Sequence, residues 1–142
     1  MHQLNTYLFF DGTCADAMRF YERTLGGKLD LITHAQSPIA GQTPPGSADR
    51  IMHARLVFDG GMLMASDSMA GQPYGGMKGF SLSLIYPTAA EGRRMFDALA
   101  QGGKVTMPLD KTFWAEAFGM LVDRFGISWM VIVPAEANAL AA

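Results

Sequence analysis

The chain has 142 residues, 49% of them hydrophobic and 17% charged, with a formal net charge of -2. That length is one domain's worth, enough to bury about 68–70% of the unfolded chain's surface. The charge balance gives no electrostatic pull toward nucleic acid or an anionic membrane. A lone cysteine, Cys14, excludes an internal disulfide and any cysteine-cluster metal site. No apolar run approaches the ~20 residues that span a bilayer, and MHQLNTYLFFDG lacks the basic and apolar regions of a signal peptide. The expected setting is a reducing cytoplasm, with no membrane and no nucleic acid as partner.

In chain order, Leu4–Phe10 (LNTYLFF) is short, aromatic and β-prone, and Asp11-Gly12 stops it. Thr13 and Asp16 then stand in the S/T-x-x-D/E relation of a helix start. Cys14, Ala17, Met18, Tyr21 and Leu25 follow at helical spacing and form one apolar stripe. Gly26-Gly27 ends that helix, and Lys28–His34 alternates as a strand. Ala35–Arg50 holds three Pro, two Gly and few anchors, and reads as a mobile loop. Ala54–Asp59 and Met62–Ser66 form a hairpin about Gly61. Ser66–Gly79 is a Gly- and Met-rich connection.

The second half repeats the first. Phe80–Tyr86 is a strand stopped by Pro87, and Thr88 with Glu91 gives a capping box. Met95, Phe96 and Leu99 supply the helical stripe, closed by Gly102-Gly103-Lys104. Phe20 precedes Gly26-Gly27-Lys28 by the same spacing as Phe96 precedes Gly102-Gly103-Lys104. Phe118–Asp123, Gly126 and Ile127–Val131 parallel the first hairpin. Each half thus reads β-α-β-β-β, a duplicated module. The expectation is an α+β fold in one domain over 1–142. Module one covers about 1–67, a linker about 68–79, and module two about 80–134.

A duplicated βαβββ chain of this size resembles the vicinal oxygen chelate superfamily of glyoxalases, bleomycin-resistance proteins and extradiol dioxygenases. Within it the chain is similar to the PhnB-like group. The resemblance rests on YLFFDGTCADAMRFY (7–21), HARL (53–56), LMASD (63–67), GGKVTM (102–107), TFWAEAFG (112–119) and DRFGISWMV (123–131). It implies two tandem modules whose curled mixed sheets surround a cleft, and it implies a homodimer. Family enzymes place a divalent metal there, held by His, Glu or similar groups on the first and last strands of each module. Carried over, those positions fall on Asn5 or Thr6, on Ala65 or Met64, on Phe80 or Ser81, and on Met130. None is His, Asp or Glu, so no metal is expected at the usual site and no cofactor is assigned. The group's family names include a demethylubiquinone methyltransferase. A Rossmann-type methyltransferase needs a glycine-rich strand-to-helix turn, whereas Gly60-Gly61 and Gly75-Gly76 precede no helical pattern.

His53, opening a strand beside Arg55, is the best candidate for acid–base catalysis, or else a strand-end histidine bonded to backbone. His2 and His34 read as surface residues. Ser66 and Asp67 end a strand. Asp67 is a candidate base or ligand-orienting carboxylate, or turn chemistry binding nearby backbone N–H groups. Cys14 sits where a helix dipole lowers a thiol pKa, or is a small buried filler. Thr112, Phe113, Trp114 and Trp129, together with Tyr7, Phe9 and Met64, line an apolar or aromatic ligand cavity or else form ordinary core. Glu116 is a weaker carboxylate candidate. Three functions follow: a small-molecule-binding protein, an enzyme that is metal-free or has a relocated metal site, and a structural dimer with a vestigial cleft.

Overall fold

The computed structural model describes residues 2–135. The chain divides into two compact units, Met1–Gly76 and Met77–Ala142. Unit 1 runs β1 (Thr6–Phe10), α1 (Cys14–Leu25), β2 (Lys28–Thr33), a short 3-10 turn (Ala40–Gln42), β3 (Ile51–Phe58) and β4 (Gly61–Asp67). Unit 2 runs β5 (Leu82–Ile85), α2 (Ala89–Ala100), β6 (Lys104–Asp110), β7 (Ala115–Val122) and β8 (Ser128–Pro134). Both are βαβββ, as the repeat predicts. The strand orders match too: β1-β4-β3-β2 and β5-β8-β7-β6. In each unit the first and last strands pair parallel and the other pairs are antiparallel. The sheets are therefore mixed and unclosed. Among the described residues no helix is long and apolar enough to cross a membrane.

One helix covers one face of each sheet. In β1, Leu8 and Phe10 are buried while Tyr7 and Phe9 between them are exposed. The buried set meets Ala54 and Leu56 of β3 and Leu63 and Ala65 of β4 on the side where α1 packs. Cys14, Ala17, Met18 and Tyr21 of α1 fill the layer between. In unit 2, Phe96 and Leu99 of α2 close over Leu121, Trp129, Val131 and Val133. Gly126, at φ 89, makes the left-handed turn of the β7–β8 hairpin. There Asp123 Oδ1 accepts from the Phe125 and Ile127 N–H groups at 2.8 and 3.0 Å.

The two helix starts differ from one another. Thr88 Oγ1 accepts from the Glu91 N–H at 3.2 Å and donates to Glu91 Oε1 at 3.1 Å, so the expected cap forms. Thr13 makes no such bond; the Cys14 N–H donates instead to Asp67 Oδ1 at 3.0 Å. The loop over Ala35–Arg50 also has more anchors than its composition suggested. The His34 and Ala35 N–H groups donate to the Arg50 and Ala48 carbonyls, each at 3.0 Å. Ser47 is fully buried. His34, expected at the surface, is 3% exposed, with its carbonyl accepting from the N–H and hydroxyl of Ser37.

Packing is close where β7 passes under α2. A Cβ built on Gly119 would lie 2.7 Å from the Phe96 ring and 2.8 Å from the Leu109 Cα. The backbone on one side cannot move away without disturbing the β6–β7 pairing. Gly119→Ala is expected to lower stability by about 1–3 kcal/mol, read as a fall in the urea midpoint. An unchanged midpoint would contradict this packing.

Candidate functional site

Among the described residues of unit 1, no helix lies over the sheet face opposite α1. Across the strands, Asp30 of β2 pairs with Arg55 of β3, Arg55 with Met64 of β4, and Met64 with Tyr7 of β1. The neighbouring row holds Ile32 and His53, with Ser66 paired to Phe9. Phe9 is 54% exposed and Tyr7 38%. The Tyr7 hydroxyl and His53 Nδ1 are 3.2 Å apart, the phenol donating when that nitrogen is unprotonated. The Tyr7 ring lies 5.1 Å from Phe9 and 5.8 Å from the His53 ring, centroid to centroid. Tyr7, Phe9, His53, Arg55, Met64 and Ser66, all singled out in the sequence, therefore share one face. Strand alternation puts them there.

Asp67, the other catalytic candidate, points to the opposite side. Its Oδ1 accepts from the Gly12 and Cys14 N–H groups at 2.8 and 3.0 Å, and its Oδ2 from the Ile51 N–H at 2.8 Å. Both oxygens thus serve backbone donors at the ends of three elements. Beside it, Arg50 Nη1 donates to Asp11 Oδ1 at 2.9 Å and to the Ser68 carbonyl at 2.8 Å. Cys14 is fully buried. Burial, seconded by the Asp67 charge, pushes its thiol up to about 12, the reverse of the helix-dipole activation considered above. The Tyr74 hydroxyl donates to the Phe9 carbonyl at 2.7 Å, fastening the connecting segment to β1; no feature of the sequence signalled this contact.

In unit 2 the structure separates the two tryptophans. Trp129 is 1% exposed on the helix side of β8, and its Nε1 donates to Asp123 Oδ2 at 2.8 Å. Trp114 is 39% exposed and packs against Phe118 with ring centroids 4.8 Å apart and the ring planes tilted by 59°. Thr112 Oγ1 accepts from the Trp114 and Ala115 N–H groups at 3.3 and 2.9 Å, folding the turn that carries the fully exposed Phe113. Glu116 borders a separate groove of about 620 Å³ between Ile85, Tyr86, Pro87 and Pro134. Burial raises the Tyr86 phenol pKa, with Glu91 adding and Arg94 opposing.

The strand register shows which face each of the positions carried over for the superfamily's ligands takes. Ala65 is fully buried on the helix side, so Met64 is the open-face residue, opposite Tyr7. Met130 pairs with Met120 and Ser83. Phe80 and Ser81 precede β5, and Ser81 Oγ lies 2.6 Å from Ser128 Oγ. These groups are thioethers, a hydroxyl and a phenyl ring, poor donors for a hard or borderline divalent ion. Among the described residues no three His, Cys, Asp or Glu side chains cluster closely enough to hold a metal. The donor set does not fit the superfamily's metal.

The geometry of Asp67 has a measurable consequence. Asp67→Asn replaces one acceptor oxygen by a donor facing a backbone N–H. It is expected to cost about 2–3 kcal/mol of stability, seen in the thermal or urea transition. Unchanged stability with altered ligand binding would instead mark Asp67 as a ligand-contacting carboxylate.

Comparison with known proteins agrees with this architecture. Residues 2–132 match the family described as 3-demethylubiquinone-9 3-methyltransferase. Protein YjdN from Escherichia coli (strain K12) is 39% identical over 141 residues, covering 92% of this chain and 94% of its own. The crystal structure of protein PA1353 from Pseudomonas aeruginosa is 47% identical with a TM-score of 0.87, covering 94% of this chain and 98% of that one. The PhnB protein from Bacillus cereus is 26% identical with a TM-score of 0.75, over 93% and 99% of the two chains. A glyoxylase/bleomycin resistance protein/dioxygenase domain from Frankia shares the fold at 13% identity, with a TM-score of 0.64 over 100% of this chain and 98% of that one. The chain belongs to this PhnB-like family, matched over residues 2–132, and it shares the fold of glyoxylase/bleomycin resistance/dioxygenase proteins.

Proposed function

We propose that this chain is a small-molecule-binding protein that takes an apolar or aromatic ligand on its open sheet faces. The observation that carries the reading is the unit 1 face, where Tyr7 and Phe9 stand half exposed beside Met64, His53 and Arg55. Large apolar side chains gathered on one exposed face, with a few polar groups among them, are the usual material of a ligand site. Trp114 and Phe118, with Thr112 and Phe113 beside them, offer a second aromatic surface in unit 2. Trp129 belongs to the core and is not part of the proposed wall.

A second reading, an enzyme without a metal at the usual site, draws on one contact. When the Tyr7 hydroxyl donates to Nδ1 of a neutral His53, Nε2 carries the ring hydrogen and can donate it to a substrate as a general acid. Asp67 takes no part, because backbone N–H groups engage both its oxygens. Methyl transfer is not proposed. The family's description names it, but the mixed β1-β4-β3-β2 order differs from the doubly wound parallel sheet of a Rossmann-type methyltransferase.

The reading is tested by ligand-observed NMR with a panel of apolar and aromatic compounds. Phe9→Ser or Trp114→Ala should weaken binding to its own face by ~2 kcal/mol, roughly thirtyfold. Both side chains are exposed enough that the melting temperature should scarcely move. A panel with no binder, or binding that survives both substitutions, would end the proposal.

A further inference from the structure

The charges on the unit 1 face suggest which ligand it takes, given the binding reading above. Exposed residues of β2 on this face are Lys28, Asp30 and Ile32, alternating with Leu29, Leu31 and Thr33 on the helix side. β3 adds His53 and Arg55. Two side-chain cations therefore face one carboxylate. Asp30 stands directly across from Arg55 in register, yet the two form no ion pair. Among the described residues the Arg55 guanidinium has no hydrogen-bonding or ionic partner. An unpaired guanidinium presents a planar fork of donors that matches a carboxylate. Two residues away on the same face, His53 is oriented by Tyr7, leaving Nε2 available.

We infer that this face binds a small aromatic acid, its ring against Tyr7 and Phe9 and its anionic group on Arg55. Geometry sets the size. Tyr7 and Arg55 lie two strands apart, with Met64 between them, which is about 9.6 Å. A single ring carrying one carboxylate spans that distance once the flexible Arg side chain reaches inward. Met64 forms the apolar floor beneath the ring. Asp30 disfavours a second anionic group on the β2 side, so the site suits a monoanion. Lys28, paired in register with Val57, lies a row away and adds attraction without contact.

Three isosteric probes followed by 19F NMR decide the matter: 4-fluorobenzoate, 4-fluorobenzamide and 4-fluorobenzylamine. The carboxylate should bind the native protein tightest, by about tenfold over the neutral amide. Arg55→Gln, an exposed substitution, should remove that preference while leaving amide binding within about twofold. Lys28→Gln should change carboxylate binding by less than about threefold at physiological salt. Equal binding of carboxylate and amide would overturn the inference but leave the aromatic-ligand reading standing. A preference for the amine would also overturn it, with Asp30 dominating the face. If none of the three binds, both the inference and the unit 1 reading fail together.

Discussion

Each unit folds one helix against one four-stranded sheet, and that shortage of cover governs everything else. Twelve residues of α-helix extend about 18 Å, while four strands span about 14 Å. A single helix therefore matches one sheet face and leaves the other without helical cover. Side chains alternate along a strand, so in β1 Leu8 and Phe10 are core while Tyr7 and Phe9 face outward. In unit 1 the outward half is aromatic, sulfur-bearing and cationic rather than uniformly polar. Core packing beneath the helix does not call for those residues, which is why the binding reading looks to that face.

The two units meet the same local requirement in different ways. A helix start leaves backbone N–H groups unpaired. In unit 2 the answer is local, with Thr88 and Glu91 forming the cap. In unit 1 a carboxylate from the end of β4 supplies it, and the same Asp67 ties the start of β3 to the end of β1. Burying a carboxylate is costly unless its oxygens are satisfied, and three N–H donors satisfy these. Unit 1 thereby gains a fixed sheet end close to Phe9, with Arg50, Asp11 and Ser68 linked beside it. Where β4 ends in Asp67, β8 ends in Val133 and Pro134, which border the groove.

What the sequence made legible was local in origin. Both helices, their glycine stops and the repeat followed from spacing over a few residues, and the Thr88 cap followed from a four-residue signature. The Thr13 cap was misread because its real partner lies fifty-three residues downstream. Trp114 and Trp129 looked alike as aromatic wall residues; only the position of α2 shows that Trp129 lies beneath it and Trp114 does not. Ala65 and Met64 differ by one position, and a one-residue shift in a strand exchanges the two faces. His34 looked like a surface residue because its neighbours are loop-forming, yet backbone bonds to Arg50 and Ala48 fold that loop over it.

The most direct test uses the methionine methyl groups as reporters of the two faces. Met64 lies on the open face opposite Tyr7, whereas Met18 is fully buried beneath the sheet on α1. With 13C-methyl-methionine labelling, titration with an aromatic ligand should shift the Met64 resonance, assigned by Met64→Leu, and leave Met18 in place. An unmoved Met64 signal in the presence of bound ligand would contradict the account.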